Sequence, residues 1–335
     1  MRTTRTARRL RRAPLIAAAL GAALVLGACS TPADPGTGGG GDEPIQVTLA
    51  LAVQAGCPFC ISIQRGAEAA AEELGVELTV ISPSTPDTAS QIEQLNAVLA
   101  DAPDALILQP FDAAALLPVV NEFKTEGVPT ITVDGDIADP SARLSLISSD
   151  NEAGGAFAAD SLAELVGEEG KVAYFGYSPG LASTDARLAG FEEQIATYDG
   201  IEYLGAQYSA DDQAEVAAQL AALLQAEPDL AGVFAAAESH AIGVASALRD
   251  SGKAGDISVV AFDGAPDEVV ALQDGSISLL VVQKAFDMGR LAIEQAVAYL
   301  EDGTEPESET YTDYVNVTSD NIDDPAVAEF LYPAQ

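Results

Sequence analysis

Three groups of residues carry side chains that could do chemistry. Ser239 and His240 stand side by side, and His240 is the only histidine of the chain. A serine hydrolase needs a hydroxyl aligned on an imidazole base. Adjacent residues rarely reach that alignment, and no Gly-x-Ser-x-Gly elbow occurs, so no catalytic residue is assigned and the chain is not expected to be an enzyme. Cys57-Pro58-Phe59-Cys60 has the spacing of thiol–disulfide exchange, in which a helix start lowers a thiol's pKa. Gln109, Asp134, Glu238, Asp263 and Gln283 each follow or end an apolar run. Singly, each would serve as a turn or cap residue. Five at strand ends instead suit a polar ligand, because carboxylates accept several hydrogen bonds and amides both donate and accept. No Walker or Gly-x-Gly-x-x-Gly fingerprint follows a strand, so no cofactor is signalled.

These residues need elements to hold them. Ile45, Val47, Leu49, Leu51 and Val53 alternate with polar or small residues, which predicts a strand. Phe59, Ile63, Ala67, Ala70 and Leu74 recur at helical spacing until Gly75, which predicts a helix. A strand at 76–82 follows, then a helix carrying Ile92, Leu95 and Leu99 with Ser90 and Glu93 as a capping box. Strands at 105–108, 128–133 and 171–175 flank helices at 112–127 and 152–166. Further strands fall at 201–208, 230–234, 257–262 and 277–282, with helices at 212–226, 240–252 and 284–301. Such alternation specifies parallel sheets covered on both faces, with ligands outside the carboxyl ends of the strands. The chain's 335 residues exceed one ordinary core. Two doubly wound, Rossmann-like α/β lobes are therefore expected.

Six arginines between Arg2 and Arg12 precede the apolar run 15–26, the plan of a secretory signal that fits either the Sec or the twin-arginine route. Leu26-Gly27-Ala28-Cys29 resembles a bacterial lipobox, which places a lipoprotein signal peptide at 1–28 and a lipid on Cys29. Residues 29–44, rich in Gly and Pro, read as a flexible tether. Removal of those six arginines leaves 9 basic against 52 acidic side chains, a formal charge of −43. Such a field repels phosphate backbones, so no nucleic acid is expected as a partner. Once Cys29 is lipidated, Cys57 and Cys60 are the remaining cysteines. Export favours a disulfide between them, with two packed thiols or a metal site as the alternatives.

Val133-Asp134-Gly135, Ser149-Asp150-Asn151-Glu152-Ala153-Gly154-Gly155, Ala261-Phe262-Asp263-Gly264-Ala265-Pro266-Asp267 and Val282-Gln283 resemble segments of the ribose-binding-like periplasmic sugar-binding proteins. The likeness runs from about Ile45 to Asn321. It implies the type I periplasmic binding protein fold: lobe 1 at 45–148 plus 284–313, lobe 2 at 150–283 plus 314–322, a three-crossing hinge, and a tail at 323–335. LacI-type repressors share this fold, but a lipobox stands here in place of their helix-turn-helix.

The resemblance further implies a monomeric receptor that hands a sugar or polyol to an ABC permease from the outer face of the cell membrane. A sensor feeding a membrane receptor, or an extracytoplasmic oxidoreductase using Cys57 and Cys60, are the alternatives. Carried over by position, Phe59 would face the apolar side of the ligand, Asp134 and Asp263 would accept its hydroxyls, Arg187 would donate, and Gln283 would lie beside a crossing. The sequence departs from the ribose type at Cys57, Cys60, Gly135, Asp211 and Ala237, although Glu238 adjoins the last of these. Asp211 stands where ribose binders have an aromatic residue, and with no tryptophan present an indole cannot stack on the sugar.

Overall fold

The computed structural model describes residues 44–53, 56–85, 87–210 and 212–333. The signal segment, Cys29, all of the tether except Pro44, and Asp211 lie outside the described residues.

The chain begins with β1 (Gln46–Ala50), α1 (Pro58–Leu74), β2 (Glu77–Ile81) and α2 (Thr88–Asp101). It continues with β3 (Ala105–Leu108), α3 (Leu117–Glu126), β4 (Thr130–Val133) and β5 (Ser145–Ser149). Next come α4 (Asn151–Val166), β6 (Gly170–Tyr177), α5 (Ala182–Ile195), β7 (Ile201–Ser209) and α6 (Gln213–Ala226). They are followed by β8 (Leu230–Ala235), α7 (Glu238–Ser251), β9 (Ser258–Phe262), α8 (Pro266–Gln273) and β10 (Leu279–Gln283). The chain closes with α9 (Ala285–Asp302), β11 (Glu309–Thr312), β12 (Tyr314–Val317) and the short α10 (Pro325–Ala328).

One sheet has the order β11-β5-β4-β3-β1-β2 and the other β12-β10-β9-β8-β6-β7, so the same winding occurs twice. Two doubly wound α/β lobes are therefore present. The pairings are parallel except at one edge, where β12 runs antiparallel to β10. In β1, the alternation of large with small or polar residues does not mark a wet face. Val47 and Leu49 join the core beneath α1 and α9, while Thr48 and Ala50 are also buried, on the opposite face. Both faces of a doubly wound sheet carry helices, and the small residues make room for the second layer.

Three crossings join the lobes: Ser149 to Asn151, Gln283 to Ala285, and Thr312 to Tyr314. Two of them are tied together, because the Tyr314 hydroxyl donates to the Asp150 carbonyl at 2.7 Å. The paired glycines of the first crossing have separate steric roles. A Cβ at Gly154 would meet the Tyr314 ring, and one at Gly155 would collide with the Arg187 carbonyl. Gly190 returns the arrangement against the Glu152 carbonyl, so α4 and α5 pack backbone to backbone.

Several elements differ from the sequence reading. The N-cap of α2 is Asp87, whose carboxylate accepts from Ser90 N at 2.8 Å, so Ser90 lies inside the helix and closes no capping box with Glu93. α3 starts at Leu117 rather than near 112. Asp112 instead caps a separate turn by accepting from Ala114 N and Ala115 N, and Pro118, with no N–H to offer, sits in the first turn of the helix. The sequence pattern did not announce α5, α8, β5, β11 or β12.

Candidate ligand-binding site

At the carboxyl ends of the strands of both sheets the chain sets polar residues. In the first lobe Gln109 follows β3 and is buried. Its Nε2 donates to Asp134 Oδ2 at 3.0 Å, and its Oε1 accepts from Ala52 N at 3.2 Å, so the amide orientation is fixed. Asp134 follows β4 with φ 66°, a left-handed conformation that few non-glycine residues adopt. Burial raises the Asp134 pKa; the Gln109 hydrogen bond and the Arg187 charge oppose that rise, and the Asp263 charge reinforces it.

In the second lobe Arg187 lies on α5 and is 5% exposed. Its Nε donates to Asn151 Oδ1 at 2.8 Å and its Nη1 to the Ala236 carbonyl at 2.7 Å. The guanidinium carbon stands 3.7 Å from the centroid of the Phe262 ring, a cation–π contact. Stacked on the ring and held by two acceptors, the guanidinium is fixed in orientation. Asp263 follows β9 with φ 88°. Its Oδ1 accepts from Gln283 Nε2 at 2.7 Å and from the Tyr332 hydroxyl at 3.0 Å. Gln283 ends β10, immediately before the second crossing.

Glu238 is the first residue of α7, half-buried, rather than a loop residue ahead of it. Its charge adds to the rise in the pKa of the buried Glu268, behind burial and the Asp263 charge. Asp211 lies outside the described residues. Phe59, second residue of α1, is half-buried and meets the edge of the Tyr332 ring at 5.6 Å between centroids. Cys57 and Cys60 are joined by a disulfide, and Cys57 Sγ accepts from Cys60 N at 3.2 Å as the helix N-cap. The bridge therefore frames Phe59.

Ser239 and His240 are both buried. His240 uses its two ring nitrogens on Ser209 Oγ at 3.1 Å and Ser239 Oγ at 3.4 Å, with Tyr177 edge-on to the ring at 4.7 Å. Sequence reasoning missed Asn151 as the residue that orients Arg187, and it missed Tyr332 and Glu268 entirely. Asn151 stood within a family-like segment, but its partner is distant in sequence. Tyr332 lies in a tail with no periodic signal.

Two Rossmann-like lobes, three crossings and carboxylates at the strand ends define a two-lobed cleft receptor of the periplasmic binding protein class. The chain belongs to the family described as periplasmic binding protein domain, whose model matches residues 50–305. It is 31% identical over 239 residues to the ribose import binding protein of Bacillus subtilis, covering 71% of this chain and 76% of that one. It is 28% identical over 268 residues to the D-apiose import binding protein of Actinobacillus succinogenes, covering 79% and 85%. Among solved structures, an ABC transporter solute-binding protein from Agrobacterium vitis, bound with α-D-tagatopyranose, superposes with a TM-score of 0.79 at 33% identity, covering 87% of this chain and 100% of that one. A second from the same organism, with bound D-fucose, gives 0.76 at 29%, covering 86% and 100%. The two relatives are import binding proteins, and the two solved structures are ABC transporter solute-binding proteins. The oxidoreductase reading of Cys57 and Cys60 finds no support among them.

Proposed function

We propose that this chain is a lipid-anchored receptor of an ABC importer that captures a sugar or polyol between its lobes and delivers it to a membrane permease. The lobes would comprise 45–148 with 284–313 and 150–283 with 314–322. One observation carries the reading: Asp134 and Asp263 follow equivalent strands of the two lobes with left-handed backbones, each held by a glutamine amide, and beside Asp263 the Tyr332 ring meets Phe59 of the first lobe. Carboxylates accept and a guanidinium donates, so a polyol between them meets both needs of its hydroxyls. Names of the relatives support the class, since they import ribose or D-apiose or hold D-tagatose or D-fucose. Gly135 stands where the ribose type has an arginine, which makes ribose itself a poorer fit than a ligand read through one cation fewer.

Anchoring would follow from cleavage before Cys29 and lipidation of its thiol, which intact-mass spectrometry of the exported protein would read directly. For the ligand, a thermal-shift panel of D-ribose, D-tagatose, D-fucose, D-arabinose, D-allose, polyols and amino acids is the test. A ligand at a hundredfold above its Kd stabilises by about 2.7 kcal/mol. Stabilisation by an amino acid, with none by any sugar or polyol, would refute the proposal.

A further inference from the structure

The last described residues lie beyond the 50–305 family match, yet they do not trail away from the body. After α10, Phe330 lies under Lys284 Nζ, 5.1 Å from the ring centroid, at the second crossing. Leu331 reaches the position that a Cβ on Gly264 would approach. Tyr332 N then donates to the Gly264 carbonyl at 3.0 Å. The tail is thereby docked on the second lobe, and Tyr332 is 5% exposed.

Its side chain has two partners in different lobes. The hydroxyl donates to Asp263 Oδ1 at 3.0 Å, within the second lobe, and the ring meets Phe59 of the first lobe edge-on. Burial first, and the Asp263 charge second, hold the phenol protonated, which fixes it as donor. With Gln283 Nε2 on the same oxygen, Oδ1 is supplied with two donors and Asp263 cannot rotate freely. Its second oxygen, Oδ2, is left for a ligand hydroxyl. The aromatic contact differs in kind: an opening of the lobes would separate Phe59 from Tyr332, whereas the hydroxyl bond lies within the second lobe and would persist. Opening would also bare a buried ring to water, which disfavours the open state.

We infer that Tyr332 is a positioning residue of the ligand site, its hydroxyl orienting Asp263 and its ring latching onto Phe59 when the lobes close. The contribution to affinity rests on the function proposed above; the two structural roles are read without ligand. Small-angle scattering of the ligand-free protein should give a larger radius of gyration for Tyr332→Ala than for the wild type, with Tyr332→Phe, which keeps the ring, close to the wild type. In carbon-13 NMR at neutral pH the Asp263 carboxyl signal, assigned through Asp263→Asn, should move in Tyr332→Phe and stay in place in Tyr311→Phe, whose hydroxyl serves Glu309 instead. For any sugar that the wild type binds, Tyr332→Phe should raise Kd about tenfold. If the wild type binds no sugar, the proposed function fails while the ligand-free measurements still judge Tyr332. Equal radii for wild type and Tyr332→Ala, or an unmoved Asp263 signal in Tyr332→Phe, would overturn the inference.

Discussion

Asp134 and Asp263 occupy the same place in the two lobes. Each follows the fourth strand of its lobe in chain order, and each has a left-handed backbone, φ 66° and 88°. Each donates its N–H to the neighbouring strand, to Ile147 and Val281, and accepts from a glutamine amide, of Gln109 and Gln283. A strained backbone that occurs twice, in equivalent positions, is the kind of feature that functional sites hold.

Replacing either aspartate by glycine removes strain and carboxylate together. For Asp134, relief of the left-handed backbone, about 1 kcal/mol, offsets the loss of the Gln109 hydrogen bond of about the same size, so Asp134→Gly should melt near the wild-type temperature. Asp263→Gly loses the Tyr332 bond as well as that of Gln283 and should melt somewhat lower. Affinity for the sugar found by thermal shift should drop about tenfold to a hundredfold, the range for a hydrogen bond to a charged group. Calorimetric titration decides, and wild-type affinity in both variants would exclude these residues from the site.

Gly155→Ala tests whether helix packing holds Arg187 in place. The added Cβ would collide with the Arg187 carbonyl, a backbone atom that cannot rotate away. Overpacking of this kind costs about 1–3 kcal/mol. A shift of α5 would also draw the guanidinium from Asn151 and Ala236, so binding should weaken along with stability. Urea unfolding and ligand titration should fall together; a variant as stable as the wild type would show that α4 and α5 have room to spare.

The winding was legible because buried parallel strands are short apolar runs and most helices carry an apolar stripe. What escaped notice has physical causes. α5 buries Thr184, Arg187 and Gly190 along with Phe191 and Ile195, so its inward face is partly polar and is packed through a glycine. β11 and β12 are four residues each, the first mostly polar, and are held as edge strands by their neighbours rather than by their own pattern. Among site residues, Asp134 and Asp263 stood out as acids directly after apolar runs. Tyr332 could not, since its importance arises from two tertiary contacts.

Glu268 supplies a pH dependence with a definite sign. It is fully buried on α8; its Oε2 accepts from Ala265 N at 2.8 Å, and among the described residues Oε1 has no hydrogen-bond partner. Burial, then the Asp263 charge, raises its pKa well above the ordinary carboxylate value. A carboxyl that binds its proton more tightly in the folded chain contributes fully below the unfolded pKa. That contribution is lost as pH rises through the folded value. Glu268→Gln keeps the acceptor for Ala265 N and cannot ionise. Wild type and variant should melt alike near pH 4, and the variant should gain on the wild type toward pH 8. Each tenfold by which folding tightens proton binding is worth about 1.4 kcal/mol of that gain. Parallel melting curves across that range would show that Glu268 is not buried as a protonated acid.

The Cys57–Cys60 bridge should matter more to the ligand than to the fold. It closes a very short loop, so its effect on the entropy of the unfolded chain is small. Serine is itself a good N-cap, and its hydroxyl can take the Cys60 N–H that Cys57 Sγ now accepts. Stability should therefore change little, by less than about 1 kcal/mol, in the double variant Cys57→Ser, Cys60→Ser. Phe59 lies between the two cysteines, and its seat against Tyr332 depends on the first turn of α1 being held. Without the bridge that turn gains freedom, and the apolar wall of the cleft loosens. The double variant should thus lose several-fold in sugar affinity while keeping its melting temperature, and alkylation of the exported wild type without reductant should leave both cysteines unlabelled. Labelling of both thiols would remove the bridge from the native protein, and an affinity equal to the wild type would remove it from the site.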